Sequence, residues 1–247
     1  METRVYDRKL DISEEHLKGF WNKRAEKYDG ENPYVSIKLG DKDPSRARRW
    51  DEYEKNHIIP LLNINNGDKV LDIGCGIGRL AEAIIPVCNY YLGTDYAEEL
   101  IAIAKKRVVF PKKEYVFKTI AMQDISSGNP KMPVDVKYSV VLIAGVMGSV
   151  NDDTVRQSLQ NMMSVLQDSC KIYIANGVGI SQRLTLNRFY SEDLQSEYSS
   201  VIRTEEEYLE LFSILDSNDF KIVKQDDLTV ETVDNSETKR MFQIYER

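Results

Sequence analysis

The chain is poor in histidine, cysteine and tryptophan, and no run in it approaches a membrane span in length. Two histidines, His16 and His57, are too few for a histidine-rich metal centre, so no metal is expected. Cys75, Cys88 and Cys170 are odd in number and lack metal-like spacing. Reduced thiols and a cytoplasmic location are the natural expectation. A spanning helix takes about 18 or more apolar residues, and charged residues follow Met1, so neither signal peptide nor membrane partner is expected. Positive charge is short too: 33 Lys and Arg against 40 Asp and Glu give −7, which argues against broad nucleic-acid attraction. Internal repeats and low-complexity segments are absent. What remains is 247 residues, 42% of them hydrophobic, enough for one sizeable core.

From about residue 67 apolar strands alternate with helices. Residues 69–73, 90–94, 115–120, 138–144 and 171–175 read as strands, the fourth as a near-continuous apolar run of the kind buried on both faces of a parallel sheet. Residues 80–87, 97–108 and 154–166 read as helices; Glu98 and Glu99 begin the second, and Lys105, Lys106 and Arg107 end it, complementing its dipole. Residues 177–203 show no clear period, and a connection of that length is usually functional. Thr204 reads as the N-cap of a helix ending near Asn218, and residues 220–225 and 239–245 as two closing strands joined through 226–238. Ahead of the sheet, a helix is expected over 45–62.

The richest stretch is Val70-Leu71-Asp72-Ile73-Gly74-Cys75-Gly76-Ile77-Gly78, with Gly93-Thr94-Asp95 following. A strand runs into a glycine turn, and an acid ends the next strand, where it can accept hydrogen bonds from ribose hydroxyls. Arg79 stands where a dinucleotide fingerprint has its third glycine. A bulky residue there obstructs a pyrophosphate, which argues against an NAD-dependent oxidoreductase. The pattern D-x-G-x-G-x-G resembles motif I of the class I S-adenosylmethionine-dependent methyltransferases. The resemblance covers residues from about 20 onward, most strongly 70–95.

It implies a doubly wound, Rossmann-like seven-stranded α/β sheet, mostly parallel with an antiparallel last strand. Residues 63–247 would form the core domain, and residues 1–62 a helical lid. It implies S-adenosyl-L-methionine as cofactor, with Asp72 near its methionine end and Gly74, Cys75 and Gly76 offering backbone groups there. Asp95 would take the ribose hydroxyls, Tyr96 would lie against adenine, and Gln123 and Asp124 would border it, Asp124 accepting from the exocyclic amine. Ala144 and Gly145 would flank the sulfonium. Trp21 and Tyr28, seven apart on one helical face, are candidate cofactor contacts or plain core. Arg49 is a candidate partner for the cofactor carboxylate, or an ordinary ion-paired arginine.

Methyl transfer from a sulfonium is an in-line displacement with a good leaving group, so alignment can supply up to roughly 7–11 kcal/mol. No general base identifies itself. His57 and Tyr190 are the catalytic candidates, with Asp29 behind them, and Tyr34 and Met147 are candidates for the acceptor pocket. Arg46, Arg48 and Arg49 cluster before the sheet, and Arg183, Arg188 and Arg203 after the fifth strand. Guanidinium groups pair with carboxylate and phosphate, so the expected acceptor is a small anionic metabolite. A solvated surface is the bland reading. The layout is similar to sugar O-methyltransferases of surface-polysaccharide pathways and to small-molecule N-methyltransferases. A non-catalytic cofactor-binding partner subunit and a protein methyltransferase stay open, as do monomer and homodimer.

Overall fold

A computed structural model describes residues 3–38, 41–228 and 237–247. Ahead of the core lie β1 (Arg4–Tyr6), α1 (Glu14–Arg24), α2 (Val35–Lys38) and α3 (Pro44–Tyr53). Asp43 caps α3 by accepting from the Ser45 amide, and Pro44 sits in the first turn, where its missing N–H is harmless. The helix expected over 45–62 is divided. α3 gives way to a π-helical turn, Glu54–Ile58, and a 3-10 turn, Ile59–Leu62. Pro60 has no amide with which to continue the ladder.

The core runs β2 (Lys69–Ile73), α4 (Ala81–Ile84), β3 (Tyr90–Asp95), α5 (Glu98–Arg107), β4 (Glu114–Thr119), β5 (Tyr138–Ala144), α6 (Asp152–Met162), β6 (Leu166–Gly179), β7 (Leu184–Ser191), β8 (Ser196–Thr204), α7 (Glu205–Asp216), β9 (Lys221–Asp227) and β10 (Thr238–Glu246). Seven strands form the expected sheet in the order β4-β3-β2-β5-β6-β10-β9. The first five are parallel, and β10 runs antiparallel to both β6 and β9. Alternate residues serve opposite faces. Leu71, Ile73, Val141, Ile143, Ile172 and Ile174 pack toward α6 and α7, while Val70, Leu142 and Tyr173 pack toward α4 and the turns after α3. Burial on both faces is why β5 reads as an unbroken apolar run. The β9–β10 connection includes 229–236, which lie outside the described residues.

Two expectations are corrected. The stretch 177–203 is ordered: β7 and β8 form an antiparallel ribbon, β1 adds to its free side, and β8 joins β6 at Val178 and Gly179, giving ten strands among the described residues instead of seven. β6 is fourteen residues long and not five, because its far end carries that ribbon. Thr204 does cap α7, in a reciprocal pair with Glu207.

The N-terminal elements are tied to the core by polar clamps. Asn151 holds both backbone groups of Ile12, at 2.9 and 3.0 Å, and Glu14 accepts from the Asn151 amide (3.0 Å) and the Thr154 hydroxyl (2.7 Å). Asn22 on α1 accepts from the Glu99 amide in the first turn of α5. These bonds set α1 across the C-terminal ends of the parallel strands, where open α/β sheets bind ligands.

Candidate functional site

β2 ends in a turn whose Gly74 has φ +72°. A Cβ there would lie 2.2 Å from the Val146 side chain, so glycine is demanded by both conformation and space. The amides of Gly74 and Cys75 both donate to the Thr94 carbonyl, at 2.7 and 2.9 Å, locking the turn onto β3. Asp95 ends β3, and its carboxylate accepts from the amides of Gly76 (3.0 Å) and Ala97 (2.9 Å). Each carboxylate oxygen keeps a lone pair for a further donor.

Above this turn opens a cavity of about 450 Å³. It brings together Trp21, Asp72, Gly74, Cys75, Gly76, Asp95, Tyr96, Gln123, Ala144 and Gly145. A second cavity of about 900 Å³ continues from it, walled by α3, β6, β8 and β10. The two share Lys38, Ala144, Gly145, Ser149, Tyr198 and Arg240. At that junction Gly145 has φ +79° and open space where a Cβ would stand. Any side chain at 145 would protrude into the passage.

The electrostatics are unusual for so small a space. Burial pushes the Asp72 carboxyl up to about 7, against the 2.6 Å hydrogen bond from Tyr91, which favours the ionised form. Burial likewise raises Asp95 to about 6, against its backbone donors. Beside them lies a buried charge network. Arg79 bonds Asp51 (3.0 Å) and Glu54 (2.7 Å), while Lys38 (3.2 Å) and the Tyr173 hydroxyl (2.7 Å) also reach Glu54. Burial favours the neutral acid at Glu54, but Arg79, Lys38 and Tyr173 hold it well below the usual carboxylate range. Burial, with Arg79 and Arg240 adding repulsion, lowers Lys38 to about 7 in spite of Glu54. In the second cavity Arg46 and Arg240 have no carboxylate partner among the described residues; Arg240 lies over the Trp50 ring, 4.8 Å from its centroid. Among those residues no cluster of His, Cys, Asp and Glu could hold a metal ion, and no helix is long and apolar enough to cross a membrane.

Several expected residues stand elsewhere. Tyr28 packs with Ile77, Ala97 and Leu100 instead of lining the cavity. Arg49 is turned to the outer side of α3, 3.2 Å from Asp43. The Asp124 side chain is exposed, and its carbonyl accepts from Asn129. His57 is exposed, stacked on Tyr53 at 4.7 Å, and borders neither cavity. Tyr190 is 54% exposed on β7, also outside both. Tyr34 spends its hydroxyl on Glu82 (2.9 Å) and Lys55 (3.1 Å). Asp29 bonds the Glu31 amide in an exposed turn. Met147 is fully buried, with its carbonyl accepting from Arg203.

The arginine expectation is corrected in the same way. Arg203 is wholly buried and bonds Asp152 and the carbonyls of Met147 and Val150. Arg183 pairs with Asp152 (3.1 Å) and Glu207 (3.0 Å). Arg188 is exposed at a bulge with φ +48°. All three hold or decorate the ribbon and leave the cavities to other cations. Lys38, Tyr198 and Arg240 were missed. No local pattern marks them, because they meet only when α2, β8 and β10 converge. Arg79 was read only as a missing glycine, although it fastens the glycine turn to the π-helical turn.

A methyltransferase-domain family model matches residues 71–172, from β2 into β6. The ubiquinone biosynthesis O-methyltransferase of Thiobacillus denitrificans is 29% identical over 96 residues, 34% of this chain and 41% of that protein. The phosphoethanolamine N-methyltransferase 1 of Haemonchus contortus, solved with phosphoethanolamine and S-adenosylhomocysteine, superposes with a TM-score of 0.73 at 18% identity. That match covers 94% of this chain and 48% of that one. The chain spans less than half the length of these two relatives. The magnesium protoporphyrin IX methyltransferase of Synechocystis, solved with S-adenosylmethionine, gives a TM-score of 0.60 at 15% identity over 97% of this chain and all of that one. Residues 71–172 match a methyltransferase-domain model, and the sheet order and glycine turn are those that the resemblance to the class I S-adenosylmethionine-dependent methyltransferases implies.

Proposed function

We propose that the chain transfers a methyl group from S-adenosylmethionine to an oxygen or nitrogen of a small anionic molecule. The observation that carries this reading is the passage at Gly145, which joins the cavity over the glycine turn and Asp95 to a second one lined by Lys38, Arg46, Lys239 and Arg240 beside Glu54. The first cavity fits the cofactor chemically. Asp95 offers lone pairs to a ribose diol, Asp72 a carboxyl to the methionine ammonium, and Tyr96 a face to adenine, with its buried hydroxyl unbonded among the described residues. Gln123 and Trp21 close the sides, and Ala144 and Gly145 leave room for the sulfonium. The cofactor supplies an electrophilic methyl group on a good leaving group. Residues 1–62 act as the lid, holding α1 and α2 over the cleft and excluding water.

The acceptor's anionic group is held by Arg46 and Arg240 in the second cavity. Two guanidinium groups without a carboxylate ion pair among the described residues favour a carboxylate or phosphate. The cavity's about 900 Å³ is ample for a sugar- or nucleotide-linked metabolite. Phosphoethanolamine, bound in the Haemonchus relative, is likewise small and phosphate-bearing. The test is calorimetry with S-adenosylhomocysteine, then a screen of phosphorylated and carboxylated metabolites for its release from S-adenosylmethionine. Binding and at least one productive acid are expected; no binding heat, or turnover only with neutral acceptors, refutes the respective half.

A further inference from the structure

We propose that Lys38, which borders both cavities, is the proton acceptor of the transfer. The inference rests on the methyltransferase reading above. Lys38 lines both cavities and is tied to Glu54 at 3.2 Å. In the step, the acceptor's lone pair forms the bond to the methyl carbon, the carbon–sulfur pair leaves with sulfur, and the acceptor's proton passes to Nζ. The ammonium so formed faces the Glu54 carboxylate, which Arg79 and Tyr173 keep ionised and in place.

Elimination supports the assignment. The charged and titratable groups around the junction are Glu54 on the π-helical turn, Arg46 on α3, Arg79 after the glycine turn, Asp72 at the end of β2, Tyr198 on β8, and Lys239 and Arg240 on β10; Glu14, Glu15 and Lys18 of α1, with Cys75, Asp95 and Tyr96, line the cofactor side. Lys239 borders only the second cavity and is paired with Asp227 at 2.9 Å. Arginine does not deprotonate. Burial raises the Tyr198 phenol, so it stays a donor. Glu54 is a weak base, already engaged by three donors. Asp72 borders only the cofactor cavity and is engaged by Tyr91. Lys38 alone offers a free lone pair near neutral pH, because burial and the flanking arginines lower it to about 7, the range in which a general base works best.

Lysine-selective 13C,15N NMR on the full chain with S-adenosylhomocysteine bound tests the proton site without turnover; Lys38→Met assigns the signal by its loss. A midpoint near 7 is expected, and one in the ordinary lysine range of about 10.4 overturns the proposal. With the acceptor found by screening, Lys38→Met and Lys38→Arg should each lower kcat by about 10²–10⁴-fold. S-adenosylhomocysteine affinity should stay within about threefold and the acid limb of the pH profile should vanish. A kcat kept within about threefold in both variants overturns it, as does a change confined to cofactor affinity, which would make Lys38 a carboxylate ligand. If Lys38→Met does not fold, Lys38→Arg and the wild-type lysine spectrum decide. A wild type that binds no S-adenosylhomocysteine refutes the underlying reading, a result distinct from any failure at Lys38.

Discussion

Asp95 accepts a hydrogen bond from the Gly76 amide at 3.0 Å, so the acid that ends β3 also fixes the crest of the glycine turn after β2. Under the proposed function, cofactor recognition and turn geometry share one carboxylate. Asp95→Ala should weaken S-adenosylhomocysteine binding at least tenfold by calorimetry, since each hydrogen bond to a charged group is worth about 1.5–3 kcal/mol. Affinity within twofold of wild type would remove Asp95 from the binding site.

The buried acids make the ligand-free chain sensitive to pH. Asp72 and Asp95 titrate near 7 and 6 in the fold, above the ordinary value of about 3.9. The folded state therefore holds protons that the unfolded state has released. Their stabilising contribution is full below about pH 4 and is lost as pH rises through 6 and 7. Thermal melting should show Tm falling from pH 5 to 7, with a flatter profile in Asp72→Asn. Lys38 changes this slope only above about 7, outside the window. An unchanged slope in the variant would contradict the raised carboxyl.

Arg46→Ala and Arg240→Ala should each raise the acceptor KM tenfold or more in steady-state assays, and Arg46→Ala, which borders only the second cavity, should leave cofactor affinity unaltered. Losing one charge-assisted hydrogen bond is enough for that effect. Arg188→Ala, at the exposed bulge, should alter neither quantity. The reverse ranking would move the anion site onto the ribbon.

Arg203→Met should destabilise the chain by about 3–5 kcal/mol in denaturant melts, because it removes one partner from a buried ion pair. It also leaves the Met147 and Val150 carbonyls without their donor. Cofactor affinity should be retained under native conditions, since Arg203 reaches neither cavity.

The parallel core was legible because its residues declare themselves locally. β5 was placed at its observed bounds by an apolar run, and the glycine turn by spacing along the chain. The β7–β8 ribbon was not legible. A bulge at Arg188, φ +48°, breaks the alternation between Leu186 and Phe189, and the turn bears Gln195 at φ +50° where a glycine would have signalled it. Arg183 and Arg203 looked available because their partner Asp152 lies 31 and 51 positions away. Lys38 and Arg240 had the opposite problem: each is an unremarkable cation until folding brings α2 and β10 to the same passage.

β6 runs four residues beyond Ala175, carrying Asn176 and Gly177 along the second cavity before β8 joins it. The Ala175 carbonyl accepts from Gly145 at 2.7 Å. One beam thus supports the Gly145 passage and walls the second cavity. Under the proposed function, recutting the ribbon at its far end should change which acceptor is taken while cofactor affinity stays as it is.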